Sequence, residues 1–129
     1  MALAARERAY SPYSGFRVGS AVLARTGSLY VGSNVENASY GLSICAERAA
    51  IFAMAAAGER EIVAIAVATG AEKPTAPCGA CRQVIREFAR PEALVLVVTA
   101  AGARGQHRLS DLLPLDFGPR DLGHAEPSR

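Results

Sequence analysis

The sequence lacks both long apolar runs and clusters of like charge. Its longest uninterrupted apolar stretch, residues 49–57, falls far short of the ~18 residues that a membrane-spanning helix requires. The 14 lysine and arginine residues nearly balance the 12 aspartate and glutamate residues, and they are scattered along the chain. The chain has no tryptophan, four tyrosines and four phenylalanines. These absences exclude a membrane span and argue against the basic, aromatic surface that binds nucleic acid strands.

The amino-acid sequence also shows neither an export signal nor the cysteine content of a disulfide-bonded protein. Charged residues at positions 6–8 interrupt the apolar core that a secretory signal requires. The cysteines are only three, Cys45, Cys78 and Cys81, which is an odd number for a set of disulfides. We therefore expect a cytoplasmic protein that uses its thiols for metal binding or catalysis.

The length of 129 residues predicts a single domain that covers residues 1–129. Periodicity and breakers predict helices over 3–10, 45–57 and 79–89, strands over 16–25, 29–34, 61–69 and 93–99, and a capped helical turn at 110–113. The first two strands form an antiparallel hairpin, whereas strand, helix and strand from 61 to 99 predict a parallel crossover. The fold class is therefore α/β, a three-layer α/β/α sandwich with a mixed central sheet.

All three thiols lie at predicted helix N-termini. Cys45 opens one helix, and Cys78 and Cys81 open the next in the segment PCGAC. Free backbone N–H groups and the positive end of a helix dipole favour thiolate, the form that binds metal. Three thiolates predict one zinc ion per subunit with its fourth position left for water, which is the pattern of a catalytic site.

Two charged residues beside Cys45 are suited to this chemistry. Glu47 is close enough to act on a metal-held water without joining the ligand set, so we predict that it carries protons. Zinc with three thiolates has a net formal charge of −1, which makes its water less acidic. Arg48, together with the two helix N-termini, is predicted to withdraw this charge by hydrogen bonding to sulfur.

Other interpretations of the same residues remain open at this point. Cys78 and Cys81 also fit ordinary buried residues or a thioredoxin-like redox pair, although neither explains a third cysteine with an adjoining glutamate. A structural zinc site usually takes a fourth protein ligand, and His107 and His124 are the candidates. Both histidines are predicted to lie in loops and to be exposed or locally bonded.

The segments CAER and PCGACRQ together resemble the zinc signature of cytidine deaminases of the small, homotetrameric class. Further segments of the chain resemble that family at residues 10–20, 32–41, 45–48, 77–83 and 112–121. The resemblance covers the chain from end to end. It implies a cytidine deaminase-like fold with Cys45, Cys78 and Cys81 as zinc ligands and Glu47 as the proton carrier.

The resemblance also implies a binding site for a pyrimidine nucleoside. Asn34 and Glu36 would hydrogen-bond the ribose hydroxyl, and their alternate positions near a strand end direct them to one side. Phe16 would border the pyrimidine ring. Backbone groups near Ala46 and Pro77 would contact the polar edge of the base.

A neighbouring subunit is implied as well. Phe117 would reach the site of the neighbour and stack on the base there, which makes the homotetramer the expected active form. Tyr40 would lie near that shared boundary. The chain departs from the family in Ser33, where cysteine is frequent, and in a shorter N-terminal helix. The sequence assigns no role to Arg82 or Gln83.

The function implied is zinc-dependent hydrolysis of cytidine and 2′-deoxycytidine to uridine and 2′-deoxyuridine with release of ammonia, as a step of pyrimidine salvage. Glu47 would take a proton from the attacking water, deliver it to ring N3 and then protonate the departing amine. No nucleic acid or membrane partner is expected.

Three rival functions use parts of the same pattern. One is deamination of another aminopyrimidine nucleoside, such as blasticidin S. A second is editing of a polynucleotide, which the near-balanced charge and few aromatic residues disfavour. The third is a structural zinc module that binds a protein partner, which affinity for a transition-state-like nucleoside would exclude.

Overall fold

The described part of the chain, residues 1–127 of this computed structural model, is built on one sheet of five strands. The strands are β1 (Val18–Ala24), β2 (Leu29–Ser33), β3 (Ile62–Thr69), β4 (Ala89–Thr99) and β5 (Arg104–Arg108). Their order across the sheet is β2-β1-β3-β4-β5. Only the β3 and β4 pair is parallel, and the other three pairs are antiparallel. The predicted hairpin, the parallel crossover and the mixed sheet are thus confirmed.

Helices lie on both faces of the sheet. They are α1 (Ala2–Arg6), α2 (Ala46–Ala56), α3 (Gly79–Phe88) and α4 (Leu109–Leu112). The large core joins side chains of α2, α3 and α4, such as Ile51, Ile85 and Leu109, to alternate strand residues such as Val67. The opposite face carries a smaller cluster in which Ala2 of α1 packs near β1 and β3. Within residues 1–127, this second helical layer consists of α1 alone.

Several element boundaries differ from the sequence-based prediction. Helix α1 ends at Arg6, because the following residues form a turn. Strand β4 begins at Ala89, so Arg90 and Pro91 extend the strand instead of forming a loop. Strand β5 was not predicted, because its sequence RGQHR is polar at nearly every position and shows no alternation. His107 therefore lies in an exposed edge strand, and its predicted loop position is wrong.

Gly32 sets how closely α2 approaches the sheet. A Cβ atom at this position would lie 2.4 Å from the backbone nitrogen of Ala50 and 2.6 Å from the carbonyl oxygen of Ala46. Both neighbours are helix backbone, which cannot move away as a flexible side chain can. The glycine in β2 therefore seats the first turns of α2, including the turn that follows Cys45, directly on the sheet.

Gly32→Ala is expected to lower the free energy of unfolding by about 2–3 kcal/mol, because the added methyl group must push α2 off the sheet. Urea denaturation followed by circular dichroism measures this change. Gly41→Ala is the matched control, since a Cβ atom there has no other atom within 4 Å. Equal stability of the two variants would contradict the close contact.

No helix among residues 1–127 is both long and apolar enough to cross a membrane.

Candidate active site

The three thiols come together where two helices begin. Cys45 is the N-cap of α2, Cys78 is the N-cap of α3, and Cys81 lies in the first turn of α3. Their sulfur atoms all lie within 4.8 Å of one another, and the Sγ atoms of Cys45 and Cys78 are 4.0 Å apart. Both N-caps have extended backbone, as helix N-caps commonly do. The fold thus brings Cys45 to a thiol that lies 33 residues later in the chain, Cys78, and to its neighbour Cys81.

This geometry fits a zinc ion. Sulfur ligands at the corners of a zinc tetrahedron lie about 3.8 Å apart when each Zn–S distance is about 2.3 Å. The Sγ atoms of Cys45 and Cys78 are 4.0 Å apart and all three lie within 4.8 Å of one another, so they need to move by no more than about 1 Å to reach this spacing. In the described part of the chain, the group that could hold a metal consists of these three cysteines, and neither His107 nor His124 belongs to it. The cluster therefore leaves a fourth position open, which a closed structural site would not.

Arg48 contacts the thiol cluster directly. Its Nη2 donates a hydrogen bond to Cys45 Sγ at 3.2 Å, and its buried Nε has no hydrogen-bond partner. A hydrogen bond from the Cys81 thiol, together with the charge and hydrogen bond of Arg48, lowers the pKa of Cys45 to about 5. The pKa of the Cys81 thiol is raised, first because this thiol donates a hydrogen bond to Cys45 and second because it is buried. The cluster thus favours thiolate at Cys45, as metal binding requires.

Glu47 is buried in the first turn of α2. Glu47 is only 5% exposed, and this burial raises the pKa of its carboxyl group. The negative charge of Cys45 raises it further. A carboxyl group that is held beside the reacting atoms can both accept and donate a proton. The residue that sequence reasoning selected as the proton carrier therefore has an environment suited to that role.

A cavity of about 350 Å³ opens beside the thiol cluster. Of the residues predicted to bind substrate or to act on it, the cavity is lined by Phe16, Asn34, Glu36, Ala46 and Glu47 together with Cys45 and Cys78. Sequence reasoning missed several further lining residues: Ser14, Val18, Ser43, Ile44, Val67, Thr69, Thr75 and Ala76. Most of these are small or apolar and come from separate segments, so no local motif marks them. Phe117 does not line the cavity of its own chain and is 56% exposed.

Asn34 and Glu36 have protein partners as well as cavity positions. The Asn34 amide accepts a hydrogen bond from the Val18 backbone N–H and donates one to the Phe16 carbonyl, both at 2.9 Å. The Glu36 carboxylate accepts hydrogen bonds from the backbone N–H groups of Tyr13 and Ser14 and from the Ser14 hydroxyl. The Ser14 hydroxyl contributes most to lowering the pKa of Glu36. Both side chains thus hold the segment that carries Phe16 in place.

The structure also gives contacts to three residues without a predicted role. Arg82 donates hydrogen bonds to the carbonyls of Pro77, at 2.7 Å, and Leu112, at 2.9 Å. Gln83 donates to the Phe117 carbonyl at 3.0 Å. The Tyr40 ring packs edge-on against Tyr13, with ring centroids 6.0 Å apart. Arg82 and Gln83 therefore tie α3 to the C-terminal segment and to the residue before Cys78.

Arg48→Gln is expected to weaken zinc retention by about 10–100-fold, because glutamine keeps little of the contact and none of the charge that stabilises thiolate. Competition with a chromophoric chelator measures the affinity. Arg60→Gln is the matched control, since Arg60 contacts only backbone carbonyls at the far end of α2. If Arg48→Gln binds zinc as tightly as the unmodified protein, Arg48 does not stabilise the thiolates.

Comparison with known proteins gives consistent matches. The family model described as "Cytidine and deoxycytidylate deaminase zinc-binding region" matches residues 1–98. The cytidine deaminase of Halalkalibacterium halodurans is 46% identical over 121 residues, which cover 94% of this chain and 92% of that relative. A crystal structure of cytidine deaminase from Burkholderia pseudomallei has a TM-score of 0.87 and 49% identity, covering 90% of this chain and 93% of that one. The Mycobacterium tuberculosis cytidine deaminase structure has a TM-score of 0.78 and 42% identity, covering 91% of each chain.

Proposed function

This chain belongs to the cytidine and deoxycytidylate deaminase family, and from that premise we propose that it hydrolyses the 4-amino group of cytidine, which yields uridine and ammonia. The observation that carries the proposal is the cluster of three thiols within 4.8 Å beside the buried Glu47, at the wall of a nucleoside-sized cavity. Metal-dependent release of ammonia from cytidine tests it.

Different residues of the chain bind the metal and transfer the protons. Cys45, Cys78 and Cys81 hold zinc, which when bound supplies a Lewis acid and lowers the pKa of water. Glu47 accepts a proton from the attacking water and passes it to ring N3 of the pyrimidine. It then takes the remaining proton of the hydroxyl group added at C4 and gives it to the departing amine. Ammonia leaves as the C4–N4 bond breaks and the C4 carbonyl forms, so the same carboxyl group acts as base and as acid. Arg48 offsets the charge of the thiolates.

The rest of the cavity binds the nucleoside. We assign Asn34 and Glu36 to the sugar hydroxyl, because both line the cavity and one N–H of the Asn34 amide is not used by Phe16. Phe16 borders the pyrimidine, and backbone groups near Ala46 and Pro77 contact its polar edge. 2′-Deoxycytidine, which differs from cytidine only in the 2′-hydroxyl, is a proposed second substrate.

The proposed setting is pyrimidine salvage in the cytoplasm. Three reduced thiols are needed to hold the metal, and the cytoplasm keeps thiols reduced. The product of the reaction is a uracil nucleoside, which is available for reuse.

A homotetramer is proposed as the active form, with Phe117 completing the site of a neighbouring subunit. Phe117 is half-exposed and absent from its own chain's cavity, although its backbone is fixed by Gln83. An exposed aromatic side chain on a fixed backbone is suited to contact with a partner. Leu115, which is fully exposed, and Leu122 are further exposed apolar side chains in the same C-terminal segment.

Phe117→Ala is expected to lower kcat/KM for cytidine by roughly tenfold or more, mainly through KM, because stacking a base on an aromatic ring is worth about 1–3 kcal/mol. Steady-state kinetics measure the change. Phe52→Ala is the matched control, since Phe52 is similarly exposed on α2 and lies outside the cavity.

Subunit mixing tests whether Phe117 acts on a neighbour. When Phe117→Ala and Glu47→Gln protomers are dissociated and reassembled together, some sites combine an intact Glu47 with an intact Phe117 from the other protomer. Activity at low cytidine concentration should then exceed the sum of the two separate variants. No gain in assembled hybrids would place Phe117 in its own chain's site.

A further inference from the structure

A buried arginine of α3 holds the segment that carries Phe117. Arg86 is only 7% exposed, and its Nε lies 2.6 Å from Oδ2 of Asp116, the residue before Phe117. Its two terminal nitrogens meet both carboxylate oxygens of Glu126, at 3.0 and 2.6 Å. One guanidinium group therefore forms ion pairs with two carboxylates of the C-terminal segment, on either side of Phe117. Its hydrogen bonds go to Glu126, whereas the close Nε contact with Asp116 lacks hydrogen-bond geometry.

The residue after Phe117 lies directly against the same guanidinium. A Cβ atom on Gly118 would be 2.3 Å from Nη2 and 2.7 Å from Cζ of Arg86. The backbone of Gly118 is extended, with φ of −150°, so any residue can adopt its conformation. The guanidinium approaches so closely that a side chain at 118 would displace Arg86 from this position.

Two further hydrogen bonds support this arrangement. Gln83, one turn before Arg86 on α3, donates to the Phe117 carbonyl at 3.0 Å. The backbone N–H of Gly118 donates to the Asp121 carboxylate at 2.9 Å. The segment 116–118 is thus held by the side chain of Asp116 and by the backbone of Phe117 and Gly118, whereas the Phe117 side chain itself remains half-exposed.

We propose that Arg86 is a positioning residue for substrate binding, which sets the placement of the Phe117 ring by clamping Asp116 and Gly118 on either side of it. The inference rests on the proposed function of Phe117. Arg86 does not touch the nucleoside and acts only through Phe117. The planar guanidinium is necessary because a lysine ammonium cannot bind two carboxylates and pack flat against Gly118 at once.

A double-mutant cycle tests the proposal by measuring KM and kcat for cytidine in Arg86→Gln, Phe117→Ala and the double variant. Arg86→Gln is expected to raise KM by about fivefold with little change in kcat, because stacking is weakened but not lost. In the Phe117→Ala background, the same substitution should leave KM unchanged, since the group it positions is absent.

The other outcomes separate two kinds of failure. If Phe117→Ala itself leaves KM unchanged, the proposed role of Phe117 fails. Arg86 has no positioning role if Phe117→Ala raises KM but Arg86→Gln does not. The same conclusion follows if the increases in KM from the two substitutions multiply in the double variant, and the ion pairs then serve stability alone.

Two further variants keep the test decisive if Arg86→Gln folds poorly. Asp116→Asn removes one half of the clamp at a partly exposed position, and Gly118→Ala forces the guanidinium away. Each should raise KM only when Phe117 is present. Arg90→Gln is the matched control, because Arg90 is a surface arginine that pairs with Glu61, and it should leave both KM and kcat unchanged.

Discussion

Glu47→Gln is expected to retain zinc and to lose about 10²–10⁴-fold in kcat. Glutamine has nearly the same shape as glutamate, so the thiol cluster and the buried first turn of α2 should stay intact. Its amide cannot take a proton from water or return one to the amine, and positioned proton transfer contributes about this factor in enzymes. Glu36 is the other carboxylate among the lining residues, and it does not replace Glu47 because it accepts hydrogen bonds from Tyr13 and Ser14.

Metal quantification and steady-state kinetics on the same preparation separate the two parts of this prediction. Glu92→Gln, a charge removal at an exposed position outside the cavity, is the control and should behave as the unmodified protein. A Glu47→Gln variant with normal zinc and near-normal turnover would refute the proton-carrier role. A variant without zinc would show that the carboxylate is needed for the metal site itself.

Cys81→Ala is expected to abolish both zinc retention and turnover. Cys81 is fully buried, and alanine at this position removes one of the three thiols of the cluster. Two remaining thiols form an incomplete site, because catalytic zinc is held by three protein ligands. The loss of bound metal also removes its stabilisation of the folded state, which grows with the logarithm of metal concentration over Kd.

Metal analysis after dialysis and thermal unfolding with and without added zinc check this prediction. The unmodified protein, stripped by a chelator, should regain activity and a higher melting temperature when zinc is restored. Cys81→Ala should regain neither. Full activity in a metal-free Cys81→Ala preparation would show that the thiol cluster takes no part in the reaction.

Local patterns were enough to predict the elements that build the site. An alanine-rich helix after Cys45 and a second helix after Pro77 follow from propensity and breakers, and both helices begin within a residue of their predicted starts. The alternating hairpin and the two apolar strands follow from periodicity in the same way. Because the three thiols lie at the N-termini of these helices, a shared metal site could be predicted from the sequence.

Contacts between polar residues distant in sequence could not be predicted. Strand β5 is polar, and it joins the sheet by pairing with β4. The bond between Glu36 and Ser14 and the clamp of Arg86 on Asp116 and Glu126 join residues 22 or more positions apart. No periodicity marks such pairs, because each side chain is specified by a partner that only the folded chain brings near.

The most direct test of the central claim is to mix the purified protein with cytidine and follow ultraviolet absorbance and ammonia release, beside a chelated sample and a zinc-restored one. The account predicts conversion to uridine with one ammonia per nucleoside, lost on chelation and recovered with zinc. Failure of a zinc-loaded, assembled preparation to convert cytidine would contradict the proposed substrate, and absence of bound zinc would contradict the metal site itself.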